Sequence, residues 1–319
     1  MSEKTVTILV PTYRRPNLLK RAIESILKQT YSDFLIIISD NGSCDGTAVV
    51  LNEFIKKDSR VNFYIQDRNI GMNANFNFLF SKVKTKYFCM LTDDDYYKDN
   101  FLYDAIAGFE NSETAMFSIL SCPAITESGG FIKNQLDNWP HEGIYSKGKA
   151  THLFLNGNHP VITAIVFKSE ILEDIVFNTE FGNISDIPLL VKLSIKYDFY
   201  MSRKLGLYFV RHSGVISNTP QNQNIKIKER ICLVNEYDRL IKGNALVDNE
   251  NISRILIKKK IMLLGGITKD FKSEGRMVIC TIEHPIKYLL RIHLYLINFT
   301  FYTKGISFFK KIVISRLGS

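Results

Sequence analysis

The 319-residue, 36.7 kDa chain has 45% hydrophobic and 23% charged residues, a balance that can bury a core and excludes a disordered or linker-dominated polypeptide. Its formal charge of +9 is unevenly placed: residues 1–250 hold 28 Lys and Arg against 29 Asp and Glu, whereas residues 251–319 hold 13 against 3. At roughly 100–200 residues per domain this predicts two domains, or one large domain with a basic appendage, and no repeat at 20–50-residue spacing is present to make a solenoid.

Thr5–Val10 is apolar and β-branched, as a strand buried on both faces would be, and Pro11 is expected to end it. Asn17 to Lys28 places Leu18, Ala22, Ile23, Ile26 and Leu27 near helical spacing. Phe34–Ser39 reads as the second strand, Thr47 to Lys57 as a second helix with Val50, Leu51, Phe54 and Ile55 on one side, and Val61–Gln66 as a third strand. A short aromatic helix from Asn75 to Lys82 and a strand over Tyr87–Leu91 follow. This alternation is the signature of a parallel sheet packed by helices. Later, Met116–Ile125 and Val161–Phe167 are expected as strands, Gly129–Tyr145 as an irregular loop or hairpin, Ile187–Lys196 as a helix, and the chain from Ile225 onward as mainly helical.

Polar residues cluster directly after the early strands: Pro11-Thr12-Tyr13-Arg14-Arg15, Asp40-Asn41-Gly42-Ser43 and Asp93-Asp94-Asp95. Open α/β sheets bind ligands beyond the carboxyl ends of their strands, so three such clusters predict one shared site. Three successive carboxylates repel one another unless a cation or hydrogen-bond donors compensate them. Such hard oxygen donors suit Mg²⁺ or Mn²⁺, commonly shared between one or two carboxylates and a substrate diphosphate. The competing reading is an acidic turn capping a helix near Asn100; the strand before the triplet and the two companion clusters favour the metal. Gly42, Gly46 and Gly71 form no G-x-G-x-x-G fingerprint and no P-loop occurs, which argues against a dinucleotide or P-loop site.

The order Val10-Pro11-Thr12-Tyr13-Arg14-Arg15, Gln29-Thr30-Tyr31, Asp40-Asn41-Gly42-Ser43-Cys44-Asp45-Gly46-Thr47, Arg68-Asn69-Ile70-Gly71 and Leu91-Thr92-Asp93-Asp94-Asp95 closely resembles family 2 glycosyltransferases of the GT-A fold. The resemblance covers about residues 4–215 and includes a variant, Ser39-Asp40-Asn41-Gly42-Ser43 with Asn69-Ile70-Gly71-Met72-Asn73-Ala74-Asn75-Phe76-Asn77, similar to the bacterial surface-polysaccharide, abequosyltransferase-like branch. It implies an α/β GT-A domain over residues 1–222 and a basic, mainly helical region over residues 223–319. It further implies that Pro11, Thr12, Tyr13 and Arg15 line the nucleotide pocket, that Asp40 bonds the base, and that Arg68 and Asn69 lie beside it. The family's D-x-D motif falls on Thr92-x-Asp94 or Asp93-x-Asp95; the first makes Asp94 the metal ligand, with Asp93 toward the ribose and Asp95 as a further metal-side or acceptor-side group.

The family's catalytic base is usually the Asp of a Glu-Asp pair at a helix start. Ile184-Ser185-Asp186-Ile187-Pro188 matches with Ser in place of Glu, which assigns Asp186, a residue that also reads as a helix N-cap. Phe209-Val210-Arg211-His212-Ser213 resembles the segment whose His completes the metal shell, making His212 a candidate ligand. The implied reaction is inverting transfer from a nucleotide diphosphate sugar, with UDP the expected carrier, to a glycan or lipid-linked oligosaccharide acceptor. A catalytically inactive homologue acting as an assembly partner is the alternative. Trp139 either stacks an acceptor sugar or packs between the two halves, with packing favoured, and His159 is a candidate acceptor-side residue.

Five isolated cysteines without a C-x-x-C pair suggest neither a zinc ribbon nor a disulfide framework, and fit a reducing compartment. Met1-Ser2-Glu3-Lys4 leads directly into strand-like sequence, which predicts an unsecreted protein. The longest uncharged run of the tail, Ile292 to Thr303, has 12 residues against the ~20 apolar residues needed to span a bilayer. Interleaved Lys, Arg and aromatic residues there predict contact with an anionic membrane surface, peripherally on the cytoplasmic face, or else a helical unit with a solvated basic face. Nucleic acid is not an expected partner, since no helix-turn-helix, RRM or zinc pattern is visible and the first 250 residues are slightly acidic.

Overall fold

The computed structural model describes residues 4–134, 136–211 and 223–241, with Ile255, all within one compact unit spanning residues 1–255. In chain order the elements are β1 (Val6–Thr12), α1 (Pro16–Leu27), β2 (Phe34–Asp40), α2 (Thr47–Lys57), β3 (Val61–Ile65), α3 (Met72–Phe80), β4 (Tyr87–Met90), β5 (Tyr96–Tyr97) and α4 (Phe101–Glu110). There follow β6 (Phe117–Ser121), β7 (Pro123–Thr126), β8 (Phe131–Asn134), β9 (Gly143–Tyr145), α5 (Thr151–Leu155) and, after a 3₁₀ turn at Ile162–Ala164, β10 (Ile165–Lys168). Two more 3₁₀ segments, Ser169–Asp174 and Thr179–Ile184, lead into α6 (Asp186–Lys196), then β11 (Phe199–Leu205), β12 (Leu207–Arg211) and α7 (Gln223–Ile241). The tail and His212 lie outside the described residues, as does Gln135.

Eight strands form the main sheet in the order β3-β2-β1-β4-β10-β6-β11-β9, and a second sheet has the order β5-β12-β7-β8. β1 to β4 are mutually parallel, and β10 runs antiparallel between β4 and β6. Alternation along β1 and β2 serves two layers at once. Val6, Ile8, Val10, Phe34, Ile36 and Ile38 pack with buried residues of α1, α2 and α4, while Ser39 on the other face meets α3. Both strands are thus largely apolar and almost wholly buried, as both faces are covered.

Four expectations need correction. Pro11 does not end β1, which continues through Thr12 with Pro11 opposite Ser39. Leu9 turns its carbonyl to the β4 side, where it accepts Leu91 N–H at 2.9 Å, and Thr12 turns its carbonyl to Asn41 N–H at 2.9 Å on the β2 side. Pro11 therefore turns its missing donor toward β4, which has already ended, so no ladder bond is lost. The expected single strand over Met116–Ile125 is two, β6 in the main sheet and β7 in the second, divided at the buried Cys122. The expected strand from Val161 opens instead with the 3₁₀ turn and extends only from Ile165. The helix expected at Asn75 begins three residues earlier, at Met72, behind Gly71 in a positive-φ conformation.

Candidate active site at the carboxyl ends of the strands

The parallel register sets the three clusters side by side. Thr12 pairs with Asp40 and Leu9 with Met90, so the chain beyond β4 emerges next to the end of β1. Thr12 Oγ1 donates to Asp93 Oδ2 at 2.8 Å, joining the first cluster to the third. The Arg14 N–H donates to Ser43 Oγ at 2.8 Å, joining the first to the second. Asn41 Nδ2 donates to Asn69 Oδ1 at 3.0 Å and Asn41 Oδ1 accepts the Ile70 N–H at 2.9 Å, which brings in the Arg68–Asn69 loop.

Gly42 is where these loops come closest. It has φ +71°, and a Cβ there would lie 2.7 Å from the Arg68 carbonyl carbon and 2.9 Å from its Cα. Only a residue without a side chain allows this approach. Asp40 beside it is buried, and its Oδ1 accepts the Ser43 N–H at 3.1 Å and the Ser43 hydroxyl. Ser43 was not among the expected site residues; its signal is the spacing of three from Asp40, an Asx-type turn.

The acidic triplet divides by environment. Asp93 is 5% exposed; its pKa is pushed up to about 6 by burial first and by the charge of Asp94 second, against the pull of Thr12 and Arg15. Arg15 Nη1 bridges Asp93 Oδ1 at 3.3 Å and Asp94 Oδ2 at 3.0 Å. Asp94 is the more accessible carboxylate, and its carbonyl accepts Arg21 Nη2, whose guanidinium also lies over the Tyr96 ring at 5.0 Å. Arg21 escaped the sequence reading because it sits inside an otherwise ordinary amphipathic helix.

Asp95 is 1% exposed and already accepts three protein donors: Thr92 Oγ1 at 3.0 Å, Thr163 Oγ1 at 3.2 Å and the Val210 N–H at 3.0 Å. Burial and the Asp94 charge push its pKa up to about 8. The side chain expected at the metal therefore ties the end of β4 to β12 and to the 3₁₀ turn before β10. The Thr at the first position of the motif is one of its ties.

At the start of α6, Ser185 is the N-cap and Asp186 the first helical residue, one place later than the N-cap expected of Asp186. Asp186 is half-buried; burial raises its pKa, against the opposing charge of His159 and the N–H groups of Asp186 and Ile187. Tyr237 of α7 is buried near it, its own phenol pushed up first by burial and then by the Asp186 carboxylate. The 159–163 segment thus reaches Asp95 through Thr163, while the charge of His159 acts on Asp186. Trp139 is a packing residue: 2% exposed, its Nε1 donates to the Asn158 carbonyl at 2.8 Å and its ring meets Tyr145, Phe154 and Phe199 edge-on. His212 lies outside the described residues; Pro11 is near the end of β1, and Tyr13 and Arg68 sit in the interlocked loops with the groups named above.

Residues 7–176 match the family described as Glycosyl transferase family 2. The chain belongs to that family. It is 27% identical over 220 residues to the GalNAc(5)-diNAcBac-PP-undecaprenol beta-1,3-glucosyltransferase of Campylobacter jejuni, covering 68% of this chain and 69% of that protein. It is also 27% identical over 254 residues to the chondroitin synthase of Escherichia coli, of which it spans only 33% while 80% of this chain is covered. Among solved structures, Staphylococcus aureus TarS 1-349 in complex with UDP-GlcNAc superposes with a TM-score of 0.62 at 14% identity, over 89% of this chain and 78% of that one. The mannosyltransferase PcManGT from Pyrobaculum calidifontis, in complex with GDP-Man and Mn²⁺, gives 0.55 at 14% identity, over 93% and 86%. The fold is that of GT-A glycosyltransferases.

Proposed function

We propose that this family 2 chain transfers one sugar, with inversion, from a nucleoside diphosphate sugar carried on UDP to a hydroxyl of a growing, lipid-linked bacterial surface glycan. The observation that carries the proposal is the interlocking of the three strand-end clusters around Arg15, Asp93 and Asp94. It is supported by relatives whose names specify an undecaprenol-linked acceptor and a polysaccharide synthase, and by neighbours in complex with UDP-GlcNAc and GDP-Man.

In this reading Asp40, whose Oδ1 is held by Ser43, presents its other oxygen to the base, and Asn41 and Asn69 hold the wall beside it. Tyr13 and Pro11 cover the nucleotide, and Asp93, fixed by Thr12, faces the ribose. Arg15 offers a guanidinium to the diphosphate at the point where it now neutralises two carboxylates.

The donor set fits a divalent cation shared with the substrate. Asp94 supplies a partly accessible hard oxygen ligand, and no group of three or more His, Cys, Asp and Glu side chains among the described residues could hold an ion alone. Asp94, with His212 as a further candidate, would hold Mn²⁺ or Mg²⁺; Asp95 acts by holding the loop. The bound ion would neutralise charge growing on the departing diphosphate.

Asp186 takes the proton of the acceptor hydroxyl as that oxygen attacks the anomeric carbon from the face opposite the diphosphate. The C–O bond to the diphosphate breaks as the new glycosidic bond forms, which inverts the anomeric centre. Burial, which raises the Asp186 pKa, makes it a stronger base than an ordinary carboxylate, and such proton transfer contributes ~10²–10⁴ in rate. No helix among the described residues is long and apolar enough to cross a membrane. The excess of Lys and Arg over residues 251–319 supports a proposed contact of the tail with an anionic cytoplasmic membrane surface. The test is Asp186→Asn, which keeps the shape and removes the base. Transfer should fall by at least about 10²-fold with nucleotide affinity unchanged; full transfer by the variant overturns the base assignment.

A further inference from the structure

Helix α3 carries Asn73, Asn75 and Asn77, which the sequence reading used only as a mark of resemblance. At about 100° per residue, Asn73 and Asn77 share one face of the helix and Asn75 lies on the other. Asn75 meets the donor side: its Oδ1 accepts Ser39 Oγ at 2.6 Å and its Nδ2 donates to the Ser39 carbonyl at 3.1 Å, directly before Asp40. Asn73 meets the acceptor side. It is 5% exposed, and its Nδ2 lies 2.7 Å from Ser185 Oγ, 3.0 Å from the Gly182 carbonyl and 3.2 Å from the Asn178 carbonyl. The Ser185 hydroxyl lies 2.8 Å from the same two carbonyls, closing a small polar knot directly before Asp186.

The rest of the loop is held independently. Asn77 exchanges two hydrogen bonds with the backbone of Phe177, both 2.9 Å, and Glu229 of α7 accepts the Asn183 N–H at 3.2 Å. The knot is uncharged. Ser185 stands where a Glu is usual in the resembling family, so the residue before Asp186 brings no carboxylate, and the amide of Asn73 supplies the donor that a tight turn with several inward carbonyls needs.

We infer that Asn73 is a positioning residue for transfer: through Ser185 it sets where Asp186 stands, and through Asn75 the same helix references that place to the donor-side strand end at Ser39 and Asp40. The inference rests on the reading of Asp186 as the base. Misplacing a reacting group by about 1 Å can cost on the order of 10²-fold in rate while leaving binding intact.

The experiment compares Asn73→Ala, Ser185→Ala, the double variant, Asn77→Ala and Asp186→Asn in the full-length protein. Turnover is read as nucleoside diphosphate release with a polyprenyl-diphosphate-linked oligosaccharide and whichever UDP-, dTDP-, GDP- or CDP-sugar wild type uses fastest. Nucleotide Kd is measured separately. Asn73→Ala and Ser185→Ala should each lower kcat about tenfold or more with Kd within about twofold. The double variant should be no worse than its poorer parent by more than about twofold, because one unit has been removed twice. Asn77→Ala, which breaks the neighbouring tie without touching Ser185, should keep kcat within about threefold.

Retention of kcat in Ser185→Ala, or an equal loss in Asn77→Ala, overturns the inference, the second because it would signal only looser helix packing. If Asn73→Ala does not fold, Ser185→Ala against Asn77→Ala decides alone. Full turnover in Asp186→Asn is the separate result that removes the base reading itself.

Discussion

Gly42→Ala is the sharpest test of how the strand-end loops are built. An alanine at φ +71° carries a left-handed cost of about 1–2 kcal/mol. Its methyl would stand 2.7 Å from the Arg68 carbonyl carbon and 3.0 Å from the Asn69 nitrogen, and both are backbone atoms that cannot rotate away. The Arg68–Asn69 segment must therefore retreat, stretching the bonds of Asn41 to Asn69 Oδ1 at 3.0 Å and to the Ile70 N–H at 2.9 Å. Overpacking of this kind costs about 1–3 kcal/mol, so the expected total is about 2–5 kcal/mol. Gly46→Ala is the matched control, four residues on, with open space at its Cβ position and no positive φ; it should stay within about 0.5 kcal/mol of wild type. Urea denaturation of the three proteins gives the stabilities, and nucleotide titration should show affinity at least about tenfold weaker in Gly42→Ala alone. Equal stability and affinity in the two variants would refute the close approach as the reason for the glycine.

Asp174 tests the electrostatics away from the site. Burial would raise its pKa, but hydrogen bonds from Lys196, Tyr197 and Lys192 outweigh this and hold it well below the usual carboxylate range. A depressed pKa contributes stability that is present above the unfolded value near 4 and lost as pH falls through the native one. Asp174→Asn should cost about 1 kcal/mol at pH 7, discounted for the exposed lysines, and the difference from wild type should shrink steadily below about pH 4; a constant gap in denaturation midpoints would contradict it. Trp139→Ala should cost about 3–5 kcal/mol, and Trp139→Phe should cost less, through the lost bond to Asn158, with transfer kept. If Trp139→Phe is stable yet inactive, the ring serves the acceptor after all.

What the sequence disclosed follows from local pattern. Strands covered on both faces appear as largely apolar runs, so β1, β2 and β4 were legible, and so were the polar clusters that follow β1, β2 and β4. Pro11 misled because its missing donor matters only if a neighbour strand still lies beside it, and that depends on where β4 stops. The change of sheet at Cys122 and the antiparallel entry of β10 are set by pairing across dozens of residues and leave no periodicity. The acidic triplet was legible as a cluster at a strand end, but the different surroundings of its three carboxylates were not: the burial of Asp95 depends on Thr163 and Val210, over sixty residues away. Asn73, Ser185 and Glu229 were missed for the same reason, since a buried amide or carboxylate acquires its role only from the backbone folded against it.

The most direct test of the central claim is a thermal-shift panel of UDP, dTDP, GDP and CDP, each with and without Mn²⁺, on wild type and Asp94→Asn. A nucleotide at about 100 times its Kd should stabilise the fold by about 2.7 kcal/mol. The account predicts a Mn²⁺-dependent shift with one nucleotide, UDP, that disappears in Asp94→Asn. No shift of wild type with any of the four would contradict a donor site at these strand ends and leave an inactive homologue acting through its surface.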